Sequence, residues 1–202
     1  ALKKNSHNVF GIDCAFHDFN AIKRIIREKN IGLVGISSHS YSHTNAVFLS
    51  NKIKSSSEVI TVFGGIHPTL FPEKVIKEPS IDFVISGEGE RVLVELTNKL
   101  ERNKDIKDVL SLTYKDNNGN IYTNTRAAEL DLSSCLPFPD RDIFPLKSYY
   151  GVNSRNVYYA PLITSRGCTH QCSYCPACRI WPGWRARKPS EVVDEMEEIL
   201  KY

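Results

Sequence analysis

Over its first hundred residues the chain alternates between short apolar runs and amphipathic segments. The runs are apolar nearly throughout, which is typical of parallel strands covered on both faces. Helices with one apolar face are expected between them. The predicted strands are 8–13, 31–37, 59–65 and 81–87, and the predicted helices are 19–29, 43–54, 72–77 and 89–102. This alternation predicts an α/β domain with a doubly wound parallel sheet.

Beyond residue 102 the pattern changes. Residues 109–124 predict a β-hairpin because two alternating runs flank a turn rich in Asn and Gly. Residues 131–151 contain three prolines and no sustained period, which predicts a linker or wrap-around segment. A new apolar strand is predicted at 160–165, and a helix at 188–202 with Ser190 as its N-cap.

Composition narrows the class of protein. The chain has 202 residues, 41% of them hydrophobic and 24% charged, as expected for a soluble protein with a buried core. A net charge of +3 does not favour a nucleic-acid partner, and no apolar run approaches the ~18 residues of a membrane span. Neither a signal peptide nor the dispersed cysteines of a disulfide scaffold is evident. We therefore expect a cytoplasmic protein.

The predicted parallel strands end in small and polar residues. Ligands of such sheets bind beyond the carboxyl ends of the strands, where glycine permits close approach to the backbone. Three such ends in a row form a broad surface that suits a large flat ligand. The candidate binding residues are Ser37, Ser38, Gly64, Gly65, His67, Gly87, Glu88 and Gly89. The alternative is that these residues only turn the chain. No phosphate-binding glycine motif follows a strand.

A second candidate site lies in the cysteine cluster. Cys168, Cys172 and Cys175 have the spacing C-x3-C-x2-C after a predicted strand. Three thiolates on one loop can hold three irons of a 4Fe–4S cluster and leave the fourth iron open. Two alternatives remain: a zinc site that includes Cys178, and a C-x-x-C redox pair.

The sequence around these cysteines, TSRGCTHQCSYC, resembles the cluster loop of radical S-adenosylmethionine enzymes, including the aromatic Tyr174. The segment RARKPSEVVDEMEEI resembles the first helix of their barrel. Upstream, IGLVGISSHS, VFGGIHPT and DFVISGEGE resemble the cobalamin-binding domain fused to one large subgroup. The resemblance implies a Rossmann-like cobalamin-binding domain with a C-terminal hairpin at 1–130. It also implies a linker at 131–154, and the first βα unit of the radical domain at 155–202.

The resemblance also implies a chemistry. Cys168, Cys172 and Cys175 would hold the 4Fe–4S cluster, with Tyr174 near S-adenosylmethionine, and cobalamin would lie on the strand ends. An external donor of the flavodoxin or ferredoxin type would reduce the cluster. S-adenosylmethionine would then be cleaved to a 5′-deoxyadenosyl radical, for methyl transfer or ring formation on an unknown substrate.

Two departures from the family pattern refine these expectations. The cobalt-ligating motif D-x-H-x-x-G is not matched by DCAFHD (13–18), so cobalamin is expected to bind without a His ligand. The barrel pattern stops after one strand and one helix, which predicts a piece of a longer enzyme that is inactive alone. Two other hypotheses are a radical enzyme that has lost cobalamin, and a non-enzymatic zinc- or cluster-binding module.

Overall fold

A computed structural model of the chain describes residues 1–150 and 159–202. By its internal contacts the chain forms two compact units. The sheet unit comprises His17–Glu129 with Leu2, and the cysteine unit comprises Ala1, Lys3–Phe16 and Leu130–Tyr202. The functional boundaries at 130 and 154 stay predictions. Residues 151–158, which hold the end of the predicted linker and the start of the predicted second domain, lie outside the described residues.

The sheet unit is built on one five-stranded sheet in the order β1-β2-β3-β4-β5. Its strands are β1 Leu33–Ser37, β2 Ile60–Gly64, β3 Phe83–Ile85, β4 Leu112–Lys115 and β5 Ile121–Thr123. The first three strands are parallel, and the predicted hairpin adds β4 and β5 in antiparallel orientation. The α/β fold and the hairpin are confirmed. The hairpin extends the main sheet, so that the parallel part has three strands.

Helices cover both faces of this sheet. They are α1 Phe19–Glu28, α2 His43–Lys54, α3 Ile66–Leu70, α4 Pro72–Val75 and α5 Gly89–Glu101. On one face, Val62 of β2 packs with buried residues of α5. On the other face, Phe63 packs with α4, and residues of α2 lie against the same cluster. Because neighbouring β2 residues point to opposite faces, an apolar run in this strand supplies two cores at once.

The strand predicted at 8–13 is wrong, because these residues form no strand. They belong to the cysteine unit, where Gly11 lies so close to Ile143 that a Cβ would come within 2.8 Å of its side chain and carbonyl oxygen. Asp13 accepts hydrogen bonds from the Ala15 amide and the Tyr149 hydroxyl. The apolar run therefore packs against an irregular segment of chain.

The cysteine unit has short elements. They are 3₁₀ turns at Lys3–Asn5, Arg141–Ile143 and Leu146–Ser148, helices α6 Leu132–Cys135, α7 Ala177–Ile180 and α8 Pro189–Ile199, and strands β6 Ser165–Gly167 and β7 Trp184–Ala186. β6 lies later than the predicted strand 160–165 because its antiparallel pairing with β7 begins at Ser165. The predicted cap of α8 is also wrong: Lys188 is the N-cap and Pro189 occupies the first turn, where its fixed φ suits a helix.

The residues that the structure describes contain no helix long and apolar enough to cross a membrane.

Candidate cofactor sites

The carboxyl ends of β1, β2 and β3 lead into three loops, which we call the strand-end loops: residues 37–43, 64–69 and 86–89. The first two loops are joined by backbone hydrogen bonds. The amide of Ser38 donates to the carbonyl oxygen of Gly64 at 3.0 Å, and the amide of His67 donates to the carbonyl oxygen of Ser38 at 3.1 Å. Two of the ligand loops predicted from the sequence therefore form one connected surface.

Thr69 links the second loop to the third. Its hydroxyl donates to the carbonyl oxygen of Gly65 at 2.7 Å, and the same oxygen accepts from the amide of Gly87 at 2.9 Å. Thr69 is absent from the predicted site residues, although it lies in the motif GGIHPT that marked this loop. Hydrogen bonds thus connect all three strand-end loops.

Gly65 is a glycine because of the protein's own packing. Its φ is +92°, and a Cβ would lie 2.7 Å from Ser37 Oγ and 2.9 Å from the carbonyl oxygen of Ser38. The space next to Gly65 is therefore filled by the first loop. Gly64 and Gly89 differ, since the nearest atoms of Ile85 would lie 3.9 and 3.8 Å from their Cβ positions.

Gly87 lies beside a cation that the sequence did not reveal. Its φ is +83°, and a Cβ would lie 3.0 Å from a guanidinium nitrogen of Arg126. Arg126 also pairs with Glu129 at 3.7 Å. It follows the hairpin in sequence, so only the pairing of β4 with β3 could have pointed to it. The third strand-end loop, which also carries Glu88, therefore has the guanidinium group of Arg126 next to it.

Two stacked imidazoles lie on the strand-end loops. The rings of His43 and His67 have centroids 4.0 Å apart and planes inclined by 28°. His43 Nδ1 lies 3.2 Å from Ser38 Oγ, and His67 Nδ1 lies 3.0 Å from Ser40 Oγ. His43 was missed by the sequence reasoning. Its position in the first turn of α2, the helix that follows β1, could have indicated it as a candidate.

Burial favours the neutral form of both imidazoles. Burial lowers the pKa of His43, and the neighbouring His67 ring lowers it further, against an opposing effect of Glu78. Burial and the charge of Lys74 lower the pKa of His67. A neutral imidazole offers one donor and one acceptor, so each ring can present a nitrogen to a polar ligand while Nδ1 faces a serine.

The end of β3 carries a hydroxyl whose hydrogen-bonding capacity is unused. Ser86 Oγ is buried and has no hydrogen-bond partner among the described residues. Glu88 is the N-cap residue of α5, and its side chain makes no capping hydrogen bond. A buried polar atom left over at a ligand-binding edge suits a ligand with carbonyl or amide groups. Together with the open positions at Gly64 and Gly89, this hydroxyl fits the amide-rich periphery of a cobalamin.

The cysteine loop, residues 168–178, begins directly after β6. Gly167 has φ +91°, and a Cβ there would overlap the carbonyl oxygen of Gly183 at 1.6 Å, so only glycine permits this approach of β6 to β7. The amide of His170 lies 3.4 Å from Cys168 Sγ as a hydrogen-bond donor. Backbone donors to sulfur are among the features that tune the potential of cluster-ligating thiolates.

The thiols of the cysteine loop are free. Cys168, Cys175 and Cys178 are half-buried, Cys172 is exposed, and none is in a disulfide. Tyr174 is 88% exposed. Among the side chains that the structure describes, no three of His, Cys, Asp or Glu are grouped closely enough to hold a metal ion. The loop supplies the thiol donors that a 4Fe–4S cluster requires, and the roles of the individual cysteines stay predictions.

Comparison with protein families identifies a domain in the first half of the chain. Residues 1–97 match the B12 binding domain. An uncharacterized methyltransferase of Pyrococcus horikoshii is 30% identical over all of this chain, which spans 44% of that protein. The anaerobic magnesium-protoporphyrin IX monomethyl ester cyclase of Rubrivivax gelatinosus is 28% identical over 85% of the chain and 31% of its own length. The chain therefore spans less than half the length of these relatives.

The match to a solved structure extends over nearly the whole chain. The radical S-adenosylmethionine methyltransferase TsrM of Kitasatospora setae, solved with cobalamin and a [4Fe-4S] cluster bound, superposes with a TM-score of 0.74. It is 17% identical, and the match covers 98% of this chain and 41% of that one. At this identity the likeness concerns the fold. Residues 1–97 are thus a B12 binding domain, and the sequence relatives and the shared fold agree with the resemblance to radical S-adenosylmethionine proteins that carry such a domain.

Proposed function

We propose that the protein carrying this chain is a cobalamin-dependent radical S-adenosylmethionine enzyme. The observation that carries the proposal is the cysteine loop: Cys168, Cys172 and Cys175 are free thiols on one loop at the end of β6. These three thiolates would hold a 4Fe–4S cluster, which would supply the one-electron reduction of S-adenosylmethionine that the resemblance implies. That chemistry requires an external electron donor, for which a flavodoxin or ferredoxin is suited.

The residues of the cysteine loop have separate tasks in this proposal. The three thiolates bind iron, and the exposed Tyr174 lies on the same loop as a contact for S-adenosylmethionine. Cys178 lies within α7, and the cluster does not need it. The amide of His170 donates to Cys168 Sγ, which helps to orient this sulfur.

The strand-end loops bind cobalamin. The predicted contacts are Ser37, Ser38, Gly64, Gly65, His67, Gly87, Glu88 and Gly89, to which the structure adds His43, Ser86 and Arg126 as candidates. Gly65 acts indirectly, because it lets the first two loops meet. Neutral imidazoles and the buried Ser86 hydroxyl can hydrogen-bond the amide groups of the ligand. Binding without a His ligand on cobalt is proposed because the sequence does not match the cobalt-ligating motif D-x-H-x-x-G.

Methyl transfer or ring formation is the reaction class that fits best. The relatives named above include a methyltransferase and a ring-forming cyclase, and both reactions suit a radical formed beside a cobalamin. The free thiols suit a reducing compartment such as the cytoplasm. The substrate would be a small molecule bound by parts of the protein outside this chain.

Anaerobic reconstitution with iron and sulfide, with and without cobalamin, tests the proposal. Iron content and the visible absorption report the cluster, and cobalamin that remains bound after gel filtration reports the strand-end loops. Uptake of both cofactors is expected. Cluster uptake without cobalamin would favour a radical enzyme that has lost cobalamin. Zinc retention with no cluster would instead identify a zinc-binding module.

A further inference from the structure

A buried ionic cluster lies at the base of the strands that flank the cysteine loop. Both carboxylate oxygens of Glu195 accept hydrogen bonds from arginine, Oε1 from Arg141 and Oε2 from Arg187. The exposed fractions of the three residues are 4% for Arg141, 6% for Arg187 and 1% for Glu195. We call these residues the arginine–glutamate cluster. Breaking such a buried pair is costly because it leaves an uncompensated charge.

The two arginines also bind the backbone that leads into β6. Arg141 Nη2 donates to the carbonyl oxygen of Pro161 at 3.1 Å, and Arg187 Nη1 donates to that of Ile163 at 3.0 Å. The amide of Arg187 donates to the carbonyl oxygen of Thr164 at 2.9 Å. The chain immediately before β6 is therefore fixed from several sides.

The same cluster fixes the strand that follows the cysteine loop and the helix beyond it. Arg187 follows β7 directly, and its Nη2 donates to the carbonyl oxygen of Glu191 in α8 at 3.1 Å. Glu195 lies in α8 as well. Through the two arginines, the chain on both sides of the cysteine loop is thus linked to the carboxylate of Glu195.

The cluster carries one carboxylate against two guanidinium groups. Arg141 Nη1 and Arg187 Nε are buried and lack a hydrogen-bond partner among the described residues. The positive charge therefore exceeds the negative charge within the cluster. Loss of Glu195 would leave two buried cations, whereas loss of Arg141 would leave one balanced pair. This asymmetry predicts which substitution is worse.

We propose that Glu195, Arg141 and Arg187 are positioning residues for the cysteine loop, which they serve by holding β6 and β7 at the loop's two ends. The inference rests on the proposed cluster. None of the three residues binds iron. They determine how firmly the thiols are presented, in the way that outer-shell residues orient metal ligands.

The test measures how fast a chelator removes iron from the anaerobically reconstituted protein that carries this chain. Arg141→Met should raise the rate about tenfold and Glu195→Gln about a hundredfold, the range over which outer-shell residues change metal affinity. Each variant is assayed below its unfolding midpoint, measured by circular dichroism. A purely structural role would leave iron release unchanged under those conditions. The electron paramagnetic resonance spectrum of the reduced cluster should also change.

Asp140→Asn is the matched control. Asp140 precedes Arg141 and pairs with Lys3, and both side chains are partly exposed, so its loss should leave iron release at the wild-type rate. If Glu195→Gln does not fold, Arg141→Met decides the matter, and Arg141→Lys replaces it if it also fails to fold. Wild-type release rates and spectra in the folded variants would overturn the positioning role alone. A wild-type protein that takes up no cluster would overturn the proposed function, and the positioning role with it.

Discussion

The strand-end loops and the cysteine loop, which are the two proposed cofactor sites, differ in the features that would let them bind a ligand. In the strand-end loops, hydrogen bonds between neighbouring loops and two positive-φ glycines set the geometry, and the candidate contacts are ordinary residues such as Ser38 and His67. In the cysteine loop the residue types carry the chemistry, and the backbone supplies a strand end and a short helix. Ligand binding is therefore expected to depend on loop packing in the strand-end loops and on the thiol donors in the cysteine loop.

This difference predicts a graded response to substitution in the strand-end loops and an all-or-none response in the cysteine loop. A change in one strand-end residue should alter cobalamin binding in proportion to the packing that it disturbs. A change in one thiol ligand should remove the second cofactor altogether, because a cubane cluster cannot replace a missing thiolate by small adjustments of the backbone.

The largest effect is expected for the cysteines. Alanine in place of Cys168, Cys172 or Cys175 should abolish the 4Fe–4S cluster, since each thiolate holds its own iron. Iron content and visible absorption after reconstitution measure this. Cys178→Ala is the control and should retain the cluster. If it loses iron as completely as Cys172→Ala, four thiols are ligands and no iron is left open.

Gly65 provides the next largest effect. Gly65→Ala should lower the free energy of unfolding by about 2 kcal/mol or more, because a Cβ is strained at positive φ and would overlap the first strand-end loop. Urea denaturation measures the loss, and a cobalamin titration should show weaker binding. Gly64→Ala is the neighbouring control, with space for a methyl group and a change within about 0.5 kcal/mol. Equal effects at the two positions would contradict the role given to the packing of Gly65.

Sequence reasoning recovered the fold better than the site. The helices at 43–54 and 89–102 and the strand end at Ser37 were predictable because apolar periodicity reports burial directly, and the second strand ends one residue before the predicted Gly65. The strand at 8–13 was not, since an apolar run does not show whether a neighbouring strand is available to pair with it, and these residues are only partly buried. His43 and Arg126 escaped because a contact between distant residues depends on the register of the sheet. The cysteines could be recognised from the sequence alone, because the spacing of residues within one loop does not depend on tertiary structure.

The histidine pair should make the strand-end loops sensitive to acid. Both pKa values are lowered in the folded protein from the ordinary 6.5, so the unfolded chain binds more protons at mildly acidic pH. The stabilising contribution is complete above about pH 6.5 and is lost as the pH falls toward the lowered values. Urea denaturation at several pH values measures it. His43→Gln should flatten the dependence, whereas His39→Gln, which removes a ring stacked on Tyr41, should not. An unchanged slope in His43→Gln would exclude the pair as its source.

The smallest effect is expected for His67→Ala on cobalamin affinity. If His67 contributes one hydrogen bond and a ring contact, its loss should weaken binding by about 1 kcal/mol, or roughly fivefold. The visible spectrum of the bound cobalamin should stay unchanged, because the cobalt-ligating motif is not matched in the sequence and cobalt is expected to gain no His ligand. Titration of cobalamin into the folded variant measures both quantities. Complete loss of binding with an altered cobalt spectrum would instead make His67 a ligand, and a single donor atom would then dominate the strand-end site as the thiols dominate the cysteine loop.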